Sequence, residues 1–192
     1  VKIEIHLTGT LTKTTIPEGE VSGFTSFAAF VEEVSAKTIM VVDITDANLS
    51  ADALEQTMYH EIMHIIDHKL AFDASVRKDA IYSEDGWCAL NPEGFEYDYD
   101  YVKNLDRNDT QWVSGGQAAF IDLYAMSFPK EDRARIMEYA MLPDSKGYFE
   151  SETMQKKLKQ LCLGIREAFE LEDAAGPFPW EQYLSEPISA QE

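Results

Sequence analysis

Three of the chain's four histidines, His60, His64 and His68, stand four residues apart in "TMYHEIMHIIDHKLAF", residues 57–72. His60, Glu61 and His64 spell H-E-x-x-H. On a helix, residues four apart share a face, so two imidazoles can meet at one ion while Glu61 leans toward it as a base. That set points to metal-assisted hydrolysis. Three protein ligands on Zn2+ leave a fourth position for water, whose pKa the metal lowers toward about 7, and Glu61 is placed to take its proton.

The third ligand has to come from elsewhere. His68 lies eight residues beyond His60, about 12 Å along a helix axis at roughly 1.5 Å per residue, too far for bonds of about 2 Å to a shared ion. His6 belongs to an N-terminal segment that reads as a strand, where a structural role is expected. A carboxylate is left, and two positions compete downstream in "AAFIDLYAMSFPKEDRARIMEYAM": Asp122, and Glu131 of the pair Glu131–Asp132. Spacing does not choose between them. Nor does the motif extend to the metzincin pattern, because the positions three and six after His64 hold Asp67 and Leu70 instead of Gly and His.

The histidine segment resembles the gluzincin metallopeptidases. One similarity is to the anthrax lethal factor and Pro-Pro endopeptidase group, whose H-E-x-x-H-x-x-D is matched by His60, Glu61, His64 and Asp67. Another is to the zinc-binding metallopeptidase family of bacterial surface lipoproteins, whose Y-A-x-(S/T)-x-P-x-E-D-x-A run resembles "YAMSFPKEDRA", residues 124–134. The resemblance covers about 57–68 and 118–141. It implies Glu131 as third ligand, with Tyr124 seven residues before it as the donor that meets the oxyanion. Asp67, one turn past His64, is placed either to orient a ligand imidazole or to serve as a surface or structural acid. Arg135 departs from relatives that carry Glu one turn after the ligand, which leaves Asp132 as the acid nearest that role. The implied activity is a zinc peptidase acting on a peptide or protein substrate, with the strand at 37–44 as the edge that pairs with it. The alternatives are a zinc hydrolase of a non-peptide amide or glycan-linked substrate, and a non-catalytic surface binding module with a vestigial metal site. Family habit implies an extracytoplasmic, secreted or cell-surface protein.

The elements that position these residues follow from pattern. "VKIEIHL" (1–7) alternates as a strand does and "KTIMVVDI" (37–44) is β-branched, while Phe27, Phe30, Val31 and Val34 at helical spacing predict a first helix across Thr25–Ala36. Ser50 is an N-cap, with Leu49 and Leu54 placed as a hydrophobic staple and Asp52 at the positive helix end. The metal helix therefore starts near Ala51 and runs to about Leu70, with Leu54, Ile62, Ile65 and Ile66 facing a core. From about 83 to 117 periodicity fails in a long loop rich in aromatics, among them Trp87, Phe95, Tyr97, Tyr99, Tyr101 and Trp112. These serve either substrate choice or packing. The spacing of Asp98, Asp100 and Asp106 does not fit an EF-hand calcium loop. Two helices follow, one from Pro129 and one over roughly 150–170 with Leu158, Leu161, Cys162, Ile165 and Phe169 as its buried stripe, before an extended tail. The expected fold class is α+β, zincin-like: one domain over 1–192, a small mixed sheet packed on the metal helix, and a mostly helical C-terminal half.

The whole chain narrows the partners. Its 192 residues carry 16 Lys and Arg against 35 Asp and Glu, a formal charge of -19, which repels phosphate backbones and argues against nucleic acid. No apolar run is long enough to span a membrane. Cys88 and Cys162 fit either one disulfide or two buried thiols.

Overall fold

The structure is a computed structural model that describes residues 2–8, 23–28, 37–43, 50–103, 107, 110–174 and 176–188. It divides into two compact units, 1–65 and 66–192, with the boundary inside one continuous helix. The protein is mixed α and β, with a small sheet and a mostly helical second half.

In the first unit, strands β1 (Lys2–Thr8), β2 (Gly23–Ala28) and β3 (Lys37–Asp43) form a sheet in the order β1-β3-β2. β3 runs parallel to β1 and antiparallel to β2, so the sheet is mixed as expected. Met40 and Val42 are fully buried, two residues apart on one face of β3, as a pleated strand requires. Ile3, Ile5 and Leu7 on the edge strand β1 remain about half exposed.

Two expectations fail here. Residues 25–28 lie in β2, not in a helix, because backbone pairing to Lys37–Met40 of β3 decides an assignment that short apolar spacing cannot. The rest of that expected helix, 29–36, lies outside the described residues. The strand 37–43 is also not an edge. It is hydrogen-bonded on both sides, so it has no open flank on which an extended substrate can pair.

Helix α1 spans Ala51–Val76. It begins where the cap predicts, with the Ala53 amide donating to Ser50 Oγ at 3.0 Å and Asp52 in the first turn. Leu49 of the staple lies outside the described residues. The helix runs six residues beyond Leu70, since no Gly or Pro stops it and Lys69 pairs with Asp73 at 2.5 Å across one turn. Its most buried side chains are Met63 and Leu70, seven apart, while Ile62 is exposed, so the inward stripe is rotated one residue from the expected one.

In the second unit the region 83–117 is not bare loop. Ser83 caps a short helix α2 (Glu84–Cys88) by accepting from the Gly86 amide at 3.1 Å, and single 3-10 turns follow at Thr110–Trp112 and Gly115–Gln117. Helix α3 (Pro129–Met141) starts with Pro129, whose fixed φ suits a first turn. In α4 (Glu152–Ala168), capped by Ser151 Oγ accepting from the Met154 amide at 3.1 Å, Leu158, Leu161, Cys162 and Ile165 are all buried. Each buried Leu or Ile contributes about 1.5–3 kcal/mol. Phe169 does not complete that stripe: it falls just past the last helical turn and is exposed. The tail is not simply extended either. Pro179–Glu181 form a 3-10 turn because Glu181 folds back, accepting from the Phe178 amide at 3.0 Å and pairing with buried Arg166 at 2.6 Å. Cys88 and Cys162 are free thiols, Cys162 buried so that its pKa is pushed up. No helix among the described residues is long and apolar enough to cross a membrane.

Candidate metal centre

The helical spacing of the motif turns directly into geometry. His60 and His64, one turn apart and half-buried on α1, bring their Nε2 atoms to 3.2 Å with the rings edge to face. Two nitrogens held at about 2.0–2.1 Å from one tetrahedral zinc are themselves about 3.3 Å apart, so this separation fits a shared ion. Glu61 is buried, 5 % exposed, although a glutamate on a helix surface ordinarily points to water. His68 is exposed on the same helix, and His6 is exposed on β1, its Nε2 3.4 Å from Glu4 Oε2.

Of the two competing carboxylates, Glu131 joins the pair. One ligand atom each from His60, His64 and Glu131 lies within 4.8 Å of the others, a group of two imidazoles and a carboxylate that could hold a metal ion. Glu131 is 2 % exposed, in the first turn of α3. Asp122 is committed elsewhere. Its Oδ2 accepts from Arg135 Nε at 2.9 Å and from Nη2, and its Oδ1 caps the turn holding Tyr124 by accepting from the Ala125 amide at 3.0 Å. Arg135, the departure from the family run, is therefore the residue that claims the rival ligand.

Tyr124 opens a 3-10 turn, Tyr124–Met126, whose carbonyl is tied by Ser127 Oγ at 2.6 Å, and it sits half-buried five residues before Pro129. Asp67 takes a structural role. Its carboxylate accepts from Nε and Nη2 of Arg133, a buried guanidinium that also lies over the Tyr82 and Trp87 rings, so it ties α1 to α3. Asp132 likewise does not back the ligands. Its Oδ2 accepts from Trp87 Nε1 at 3.1 Å, Tyr97 Oη at 2.7 Å and Lys157 Nζ at 2.7 Å in the core.

The aromatic region divides by role. Trp87 and Tyr97 are buried, and Phe95 and Trp112 pack with Tyr97 on Phe120, Ala125 and Met126, so packing accounts for these four. Tyr99 is exposed, with its backbone in the left-handed region at φ 50. Asp98 pairs with Arg107 at 3.0 Å and Asp100 accepts from the Val102 amide at 2.7 Å, while Asp106 lies outside the described residues. Sequence reasoning missed a contact made by Tyr101, whose hydroxyl donates to Glu131 Oε1 at 2.9 Å. The only signal for it was the Tyr-Asp alternation over 97–101, which does not say what each ring faces.

Comparison of the chain with protein-family models, with curated proteins and with solved structures found no match.

Proposed function

We propose that the protein is a zinc-dependent hydrolase, a peptidase of gluzincin type. The observation that carries this is the grouping of His60, His64 and Glu131 with the buried carboxylate of Glu61 beside His60 in sequence. Two imidazoles and one carboxylate form a borderline N/O donor set that suits zinc. Bound there, zinc would supply a Lewis acid and a water of lowered pKa. Glu61 takes the proton of the attacking water and returns it to the leaving amine. The Tyr124 hydroxyl donates to the oxyanion of the tetrahedral intermediate. The resemblance of 57–68 and 118–141 to the gluzincin runs supports the same assignment, and a binding module with a vestigial site has no need of a buried base at position 61.

Zinc-reconstituted protein should hold about one zinc per chain and cut members of a peptide library. Glu61→Gln should keep the zinc and lose nearly all turnover, since it removes the base and preserves its shape. Failure to retain zinc overturns the metal site. A zinc-loaded protein that leaves every peptide intact overturns the peptidase reading in favour of another amide or glycan-linked substrate.

A further inference from the structure

We infer that Tyr101 is a positioning residue for Glu131, and that the 97–101 segment exists to deliver it; this rests on Glu131 being the third ligand. A carboxylate ligand has to be held in one rotation to meet an ion, and groups that hydrogen-bond to ligands usually do the holding. Tyr101 Oη donates to Glu131 Oε1 at 2.9 Å, and Lys130 Nζ lies 3.8 Å from the same oxygen. The ring is fixed in turn. It packs on Phe128 with centroids 4.5 Å apart, stacks on Tyr124 at 6.1 Å and 24°, and carries Lys130 Nζ 5.7 Å from its centre.

The backbone explains how a residue thirty positions away reaches this point. The Asp98 amide donates to the Met126 carbonyl at 3.2 Å and the Tyr99 amide to the Ser127 carbonyl at 2.8 Å, which clips the segment to the stretch leading into α3. Tyr97 anchors it on the other side through Asp132. Between the two anchored rings Tyr99 takes φ 50, a conformation that a bulky residue adopts only where its surroundings impose it. That turn separates the paths of Tyr97, into the core, and Tyr101, onto Glu131.

The test is zinc affinity, measured by competition with a chromogenic chelator on wild type, Tyr101→Phe, Glu131→Ala and the double variant. Tyr101→Phe keeps the ring and removes the donor, and should raise the zinc Kd about 10- to 100-fold. In the Glu131→Ala background the same change should shift the Kd less than twofold, because the hydroxyl then has no ligand to orient. An equal shift in both backgrounds marks a general folding effect and overturns the inference even where the variant is less stable. Affinity unchanged in Tyr101→Phe, with Glu131→Ala still weakened, overturns it alone and leaves the metal site standing. Glu131→Ala binding zinc as wild type does removes both.

Discussion

At the level of single residues the site separates groups that hold from groups that react. His60, His64 and Glu131 form the group that could hold a metal ion, Glu61 is the buried base of the proposed mechanism, and Tyr124 is its oxyanion donor. Glu131→Ala should therefore lower zinc affinity severely, whereas Tyr124→Phe should leave it nearly intact and slow turnover roughly 10- to 1000-fold, the scale of losing one oxyanion donor. Metal content by elemental analysis, read beside turnover, distinguishes the two. Asp122→Ala tests the rival: it should keep the metal, since that carboxylate serves Arg135 and the Ala125 amide. A metal-free Asp122→Ala with a loaded Glu131→Ala would transfer the ligand role to Asp122. The H-E-x-x-H residues were legible in the sequence because helical spacing alone makes them converge. Spacing left Glu131 and Asp122 open and only the family resemblance favoured Glu131; what occupies Asp122 depends on where Arg135 reaches, thirteen residues away in sequence.

Among the elements, α1 carries most of the proposed site. One helix places His60, Glu61 and His64, and its second half is tied to α3 by Asp67 and Arg133, two residues past Glu131. The rise per residue separates the three histidines: His60→Ala or His64→Ala should abolish stoichiometric zinc, and His68→Ala should leave it unchanged, as measured on protein dialysed after reconstitution. Loss of zinc in His68→Ala would contradict the geometry of the helix. The start of α1 was readable because Ser50 and Asp52 are local signals. Its end at Val76 was not, because nothing at Leu70 stops a helix and one turn more is settled by Lys69 with Asp73. The helix expected over 25–36 failed at 25–28 for the converse reason, since pairing with β3 outweighs a short run of apolar spacing there.

Across the molecule, the unit 66–192 is organised around charges that its composition hides. Lys157 lies on the buried face of α4 between Met154 and Leu158, donates to the Ala119 carbonyl and to Asp132, both at 2.7 Å, and sits 3.8 Å from the centre of the Phe120 ring. Nothing in the sequence marks Lys157 as buried, and Asp132 stands there as the acid nearest a ligand-backing role, so this centre became visible only with the fold. Burial pushes the Asp132 carboxyl above its ordinary pKa and the Lys157 ammonium below its own, each opposed by the other's charge. A carboxyl raised on folding contributes stability that is fully present below about pH 4 and is lost as pH rises through its folded value. An ammonium lowered on folding contributes stability present above about pH 10 and lost as pH falls through its folded value. Both effects leave the pair least favourable near neutrality. Removing one partner, as in Lys157→Met, should cost about 3–5 kcal/mol by stranding a buried charge. The double variant Asp132→Asn, Lys157→Met should cost less than the sum, and its stability relative to wild type should improve between pH 4 and pH 7, measured by urea unfolding at several pH values. A relative stability that is flat or falls over that range would mean that pairing outweighs burial at Asp132, and that the carboxylate is held ionised at the centre of the unit.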